Sequence, residues 1–390
     1  MTQAGNDNLN HLSQILNNLA ARGLGITELE TQRNALAAAS KSFNGAATNV
    51  IGKIADALPQ VNDYGSRWIM ARMLRDLGLK NETDADTALK TLVTCFQNEK
   101  DSGTRAMACG QMRDLAIAYE PLSGVAAAAI ALHLMAEKDP YSKNSIKNAL
   151  LSIGMAFEAA APTAVSFIGG ELATEKDPAV RMMISSSLQD IASKHPSQAK
   201  AVIGLLVKAA ATEDNNDAAR KYAQDIAACG TGNNALVMDA LSKGFREAKN
   251  IEVAAAYSHC QLQIGLKHPM PVIADIEKGW KDFNSDQRRM ATLNLSRLGD
   301  LGFAEATASS AVLTAALSGE TSSYNRKAII NGLMTCVRNK ADETPVRELL
   351  KTEYEAEKDK ETRELLSRSL RHLGYLTPVP VLVPFKASQP

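Results

Sequence analysis

The feature that most limits what this chain can become is a pattern that returns at steps of 34 to 39 residues. The segments beginning at Arg67 (RWIMARMLRDLG), Arg288 (RRMATLNLSRLG) and Arg363 (RELLSRSLRHLG) carry apolar or small residues three, seven and ten positions on, then a glycine. These are Met70, Leu74, Leu77 and Gly78; Ala291, Leu295, Leu298 and Gly299; and Leu366, Leu370, Leu373 and Gly374. The same frame fits Arg105, Lys143 (with Gly154), Arg181 and Arg326. Arg220 fits with Ala223, Ala227 and an early Gly230, while Arg33 (Leu36, Ser40, Phe43) and Ala254 (Tyr257, Gln261, Ile264) are the least regular copies.

Offsets of three, seven and ten fall along one side of an α-helix, and that side must be buried. One helix pair cannot hide it alone, so a period near 37 residues is read as stacked helix pairs that share a continuous core. The pattern predicts an all-α chain of about ten pairs between residues 8 and 376, with the anchored helix second in each pair. The preceding helix lies about 20 residues upstream, as at residues 164–173 before Arg181 and 199–210 before Arg220. Alanine is the commonest residue and favours helix. Asp139-Pro140, Asp177-Pro178, His195-Pro196, His268-Pro269 and Thr344-Pro345 punctuate the helices. Glycine after each stripe is expected to end its helix in the left-handed conformation. The domain reading is one solenoid over 1–376 and an extended tail over 377–390 (TPVPVLVPFKASQP), where four prolines forbid helix.

Composition narrows the function. Lys plus Arg equals Asp plus Glu at 43 each, which argues against a generic binder of nucleic acid or acidic membrane. The five cysteines (Cys95, Cys109, Cys229, Cys260, Cys336) form no CxxC pair and read as free thiols of a reducing compartment. The start, MTQAGNDNLNHLSQ, lacks a secretory pattern, and the longest apolar stretch, 124–135, is too short to span a bilayer. The expectation is a cytoplasmic protein with no membrane segment, export by a signal-free route staying open as an alternative. No phosphate-binding loop, dinucleotide fingerprint, HExxH or GxSxG occurs, and the six histidines show no helical metal spacing. No catalytic residue, cofactor or metal is assigned.

The segment Asp177-Pro178-Ala179-Val180-Arg181, followed by an apolar helix, resembles the HEAT repeat. Asp63 with Arg67, Asp101 with Arg105, Asp139 with Lys143 and Asp359 with Arg363 match it; Asp217 with Arg220, Asp286 with Arg288 and Ser322 with Arg326 do so loosely. The resemblance implies a right-handed α-α superhelix in which these residues form a ladder between repeats and the second helices line a concave face. Polar residues eight and nine positions after the anchor then become candidates for partner binding: Arg75, Asp76, Arg113, Asp114, Gln189, Asp190, Arg297 and Arg371. Trp68, Trp280 and the Met pairs 70/73, 107/112 and 182/183 read as packing residues, and the run 353–364 as a solvated terminal cap. The expected function is a non-catalytic scaffold or adaptor that holds a partner protein or peptide. Two alternatives remain: a structural subunit using end or tail contacts, and a HEAT-like nucleic-acid enzyme of the DNA glycosylase type, which needs a basic groove.

Overall fold

The computed structural model describes residues 3–20, 26–42, 47–229, 234–339 and 341–376. Among them there are twenty α-helices and no strand. The chain divides into two compact units, residues 1–205 and 206–390. Unit 1 contains α1 (Gln3–Ala20), α2 (Ile26–Ser42), α3 (Ala47–Ala57), α4 (Tyr64–Gly78), α5 (Glu82–Phe96), α6 (Ser102–Ala118), α7 (Ser123–Ala136), α8 (Pro140–Ala156), α9 (Ala161–Leu172) and α10 (Pro178–Lys194). The division falls within α11 (Ala199–Thr212). Unit 2 continues with α12 (Asn216–Ala228), α13 (Asn234–Glu247), α14 (Ile251–Gly265), α15 (Pro269–Gly279), α16 (Ser285–Leu298), α17 (Phe303–Leu317), α18 (Ser323–Arg338), α19 (Glu343–Ala356) and α20 (Lys360–His372).

Within each unit most helices pack on the next and on the next but one, so odd-numbered and even-numbered helices form two layers. Each unit thus has the all-α, HEAT-like stacking of helix pairs that the periodicity predicts. All the anchors sit on even helices. The predicted stripes are buried, as Met70, Leu74 and Leu77 in α4 or Ile329, Leu333 and Cys336 in α18 show. The copy at Arg220 is out of register by one. Arg220 is exposed, and counting from Ala219 places Tyr222, Ile226 and Cys229 in the core. Side chains of the stripe proposed at Arg33, and all of residues 377–390, lie outside the described residues.

The even helices start where a side chain can satisfy free N–H groups. Asp63, Asp101, Asp139, Asp177 and Asp359 accept backbone N–H bonds of 2.7–2.9 Å from the first turn. In α12 and α16 the cap is Asn215 and Asn284, not Asp217 or Asp286. Both aspartates lie inside the first turn, where they face the positive end of the helix dipole.

The ladder also differs from expectation. The described anchor ion pairs run to a glutamate of the following repeat. Arg105 meets Glu137 at 2.7 Å, Arg288 meets Glu320 at 3.3 Å, Arg326 meets Glu357 at 3.0 Å, and Arg67 is paired with Glu99. Lys143 instead takes Glu171 at 2.6 Å. A glutamate two residues before the cap accepts that cap's N–H at 2.8–2.9 Å in Glu99, Glu137, Glu175, Glu213, Glu320 and Glu357 alike. The anchor arginine also donates to a carbonyl six residues back: Arg67 to Val61, Arg105 to Glu99, Arg181 to Glu175 and Arg326 to Glu320. The run 353–364 is therefore only partly a solvated cap, because Glu353 joins Glu357 on Arg326 at 2.7 Å.

The glycines after the stripes serve close approach. The exception is Gly374, the one described glycine in the left-handed region, at φ 73°, as expected for a helix end. Gly299 is right-handed at φ −65°, and a Cβ there would lie 2.7 Å from Cys336 Sγ. At Gly78 it would lie 2.7 Å from Leu115 Cδ2. A side chain at either position would require Leu115 or Cys336 on the neighbouring helix to shift.

Candidate partner-binding face

The predicted polar residues all fall on even helices. The structure joins four of them into one chain across α4 and α6. Arg75 donates to Asp76 from Nε at 2.9 Å and reaches Asp114 at 3.3 Å, and Arg113 donates to Asp114 from Nε at 3.0 Å. Burial alone would lower the Arg75 pKa, but hydrogen bonds and charge from Asp76 and Asp114 outweigh it and raise it. The other candidates are separate from this chain. Gln189 donates to Ser193 within α10 at 2.7 Å, and Asp190 is exposed. Arg297 and Arg371 lie in unit 2, both exposed, and Arg371 is hydrogen-bonded to the Ser367 carbonyl at 3.3 Å.

A residue read as packing extends the patch. Trp68 is 37% exposed on α4, with the Arg72 guanidinium 5.6 Å from its ring centroid. Arg72 in turn approaches Asp76 at 3.9 Å. Trp68, Arg72, Asp76, Arg75, Asp114 and Arg113 thus run as one linked series of aromatic and alternating charge. Tyr64 and Tyr141, in the first turns of α4 and α8, are also exposed, as is Met183 on α10. Met70, Met73 and Met112 are buried as expected, and Trp280 leans on Phe283 with ring centroids 6.3 Å apart. Position relative to the anchor was the available signal for Trp68: one residue past the anchor lies off the buried stripe.

Two open grooves accompany this face. One of about 460 Å³ lies between α12 and α14, lined by Arg220, Gln224, Glu252 and His259. Another of about 700 Å³ lies on the odd layer around Thr91, Cys95 and Lys90. Neither holds an activated nucleophile. Burial pushes Cys260, beside the first, up to about 11, and raises Cys95 in the second. Cys109 and Cys229 are pushed to about 12 for the same reason. These thiols stay protonated and are poor nucleophiles. Among the described residues no group of three or more His, Cys, Asp or Glu could hold a metal ion, and no helix is long and apolar enough to cross a membrane.

No protein-family model matches the chain, and no curated protein matches it in sequence. Among solved structures it is similar to an engineered protein at 16% identity and TM-score 0.39, over 94% of this chain and 99% of that one. It is similar to a homology model of the full-length AP-3 complex at 11% identity and TM-score 0.42, over 94% and 72%. It is also similar to yeast importin-beta (Kap95p) at 13% identity and TM-score 0.42, over 92% of this chain and 51% of that one. The chain therefore spans about half the length of that importin-beta. Its assignment as a HEAT-like solenoid rests on the stacking, caps and ladder described above.

Proposed function

We propose that the chain is a non-catalytic scaffold that holds a partner protein or peptide on the even-helix face, with Trp68 as the anchor in unit 1. The observation that carries this reading is the exposed Trp68 in series with Arg72, Asp76, Arg75, Asp114 and Arg113. Tryptophan and arginine dominate binding hot spots, because a large rigid surface ends in a directional polar group. Matched Asp and Arg along the series favour a protein partner over a phosphate backbone. The free cysteines support a cytoplasmic setting.

Affinity capture from native lysate with quantitative mass spectrometry tests this. Proteins retained by the wild type should be lost at least about tenfold by Trp68→Ala with Arg75→Ala. The melting temperature should fall by only a few degrees, because the Arg75 bridge to Asp114 is partly exposed. Equal retention by the double variant would remove this surface from consideration.

A further inference from the structure

The joint between α12 and α14 lacks both members of the ladder rung. Ala219 stands in the anchor position that Arg67 and Arg105 fill elsewhere, and Ala248 in the position of Glu99 and Glu137. The two repeats that meet there otherwise match at a step of 35 residues. Glu213, Asn215 and Tyr222 of the first return as Ala248, Asn250 and Tyr257 of the second. Both asparagines cap their helices, and both tyrosines are buried in the core.

The two phenols meet different surroundings. Tyr222 donates its hydroxyl to Glu213 Oε2 at 2.9 Å. The residue in that place for Tyr257 is Ala248, whose side chain accepts nothing. The Tyr257 hydroxyl is accordingly buried without a hydrogen-bond partner among the described residues, on a residue only 1% exposed. Burial raises its pKa, so it keeps the proton that it has to donate. Leaving a buried hydroxyl unpaired costs more than the bond itself contributes, and such groups are nearly always satisfied by protein or by ordered water.

The ring is held where it is. It lies against α13, and a Cβ at Gly244 would collide with its Cε1 and Cζ atoms. Tyr257, Gly244, Glu247, Ala248 and Glu213 line one pocket of about 20 Å³. That is room for a single water and too little for a carboxylate or a larger ligand. Glu213 supplies an acceptor. Its two oxygens already take the Asn215 N–H and the Tyr222 hydroxyl, and each has a second lone pair.

We propose that this pocket binds one ordered water, which accepts from Tyr257 and donates to Glu213, and so joins neighbouring repeats where the ion pair is absent. A bridging water is nearly as good a link as a direct hydrogen bond. It needs no cation, which agrees with the alanine at position 219.

A high-resolution crystal structure of the full chain tests this. The wild type should show one isolated density peak about 2.5–3.0 Å from Tyr257 Oη and from a Glu213 carboxylate oxygen. No peak, or a peak that reaches only one of the two, overturns the proposal. Ala248→Gln should return an acceptor to the place of the missing carboxylate, take the Tyr257 proton directly and expel the water. A peak that persists unmoved in that variant overturns the assignment. Stability gives a readout that needs no crystal. Tyr257→Phe removes the hydroxyl alone, and in urea it should raise the unfolding equilibrium constant about two- to tenfold, because a satisfied hydroxyl is lost. An unpaired hydroxyl would give the opposite sign, so an unchanged or lower constant overturns the proposal. None of these outcomes depends on Trp68 or its charged neighbours.

Discussion

Helices α4 and α6 of unit 1 and helices α16 and α18 of unit 2 carry different chemistry at the same position, their third residue. In α4 and α6 it is Ser66 and Thr104, whose hydroxyls turn back to the caps Asp63 and Asp101 at 2.6 and 2.8 Å. The ion pairs of Arg67 and Arg105 reach the next repeat, alongside the Arg75 bridge to Asp114 and the Ser102 bond to Glu137. In α16 and α18 the third residue is a buried amide. Gln287 Nε2 donates to the Phe245 and Arg246 carbonyls, and Asn325 Nδ2 to the Ser285 carbonyl, about forty residues earlier. Asn294 does the same to the Ser258 carbonyl at 2.9 Å.

Unit 2 keeps ionic rungs at Arg288 and Arg326 beside these amides, and lacks them around α14. Ala254 stands in the anchor position of α14. At the rung between α12 and α14 both partners are missing, with Ala219 for the cation and Ala248 for the glutamate. Loss of one partner alone would strand a buried charge, whereas loss of both costs little. The comparison teaches that stacking needs an inter-repeat bond, but not a particular kind of bond. A neutral amide and an ion pair serve alike, while their responses to acid differ.

The largest expected effect is at Glu137, whose side chain is fully buried against Arg105. Glu137→Ala should destabilise unit 1 by about 3–5 kcal/mol, because Arg105 loses its counter-charge. Urea unfolding measures this, and hydrogen exchange should rise in α6–α8 while α13–α16 stay protected. The same residue sets an acid response. Burial opposes ionisation of Glu137, but the Asp139 N–H, Arg105, Ser102 and the Lys138 N–H overcome it and hold the pKa below 4.5. A carboxyl depressed in the folded state stabilises above its ordinary value, and that contribution is lost as pH falls through the folded one. His133 adds in the same direction. Burial first, then Arg105, lowers its pKa below 6.5, so stability declines as pH falls below that value. Glu137→Gln should flatten the acid slope; an unchanged slope would show that the ladder is not what titrates.

A middle-sized effect is expected at Gln287, which bonds the previous repeat and also closes a capping box with Asn284. Gln287→Ala should cost about 1–3 kcal/mol, equally at neutral and acid pH. A loss that grows with acidification would erase the distinction between the units. The smallest effect comes from installing the missing rung. Ala219→Arg with Ala248→Glu should add no more than about 1 kcal/mol, read as a positive coupling in a double-mutant cycle. Zero coupling would mean that α12 and α14 have drifted out of ladder geometry.

The helices, their pairing and most caps were legible because burial periodicity and N-terminal aspartates are local signals. The rungs were not. Aligning copies on the anchor and its apolar stripe leaves Glu-Lys-Asp at 99–101, 137–139, 175–177 and 357–359 looking like a solvated turn. Comparing those turns with one another would have shown that the first residue repeats as strictly as the cap. Arg220 misled because an exposed arginine beside Ala219 looks like an anchor, and only burial of Tyr222 and Ile226 separates them. The glycines misled for a related reason. A residue that ends a helix and one that admits a neighbour are both glycine, and the choice depends on distances to another helix. Of the candidate site, the Arg75 to Asp114 series was visible in part, since its residues share an offset from the anchor. Trp68 was not, because one position on a helix decides between core and solvent.

In α4, α6, α16 and α18 the anchor offers one cation forward to a carboxylate of the following repeat. Glu99, Glu137, Glu175 and Glu213 stand 38 residues apart. If the block from Glu99 through Ala136 were excised, Arg67 would face Glu137 with its valence still matched. Such a cut removes a whole module without leaving a bare charge at the new joint.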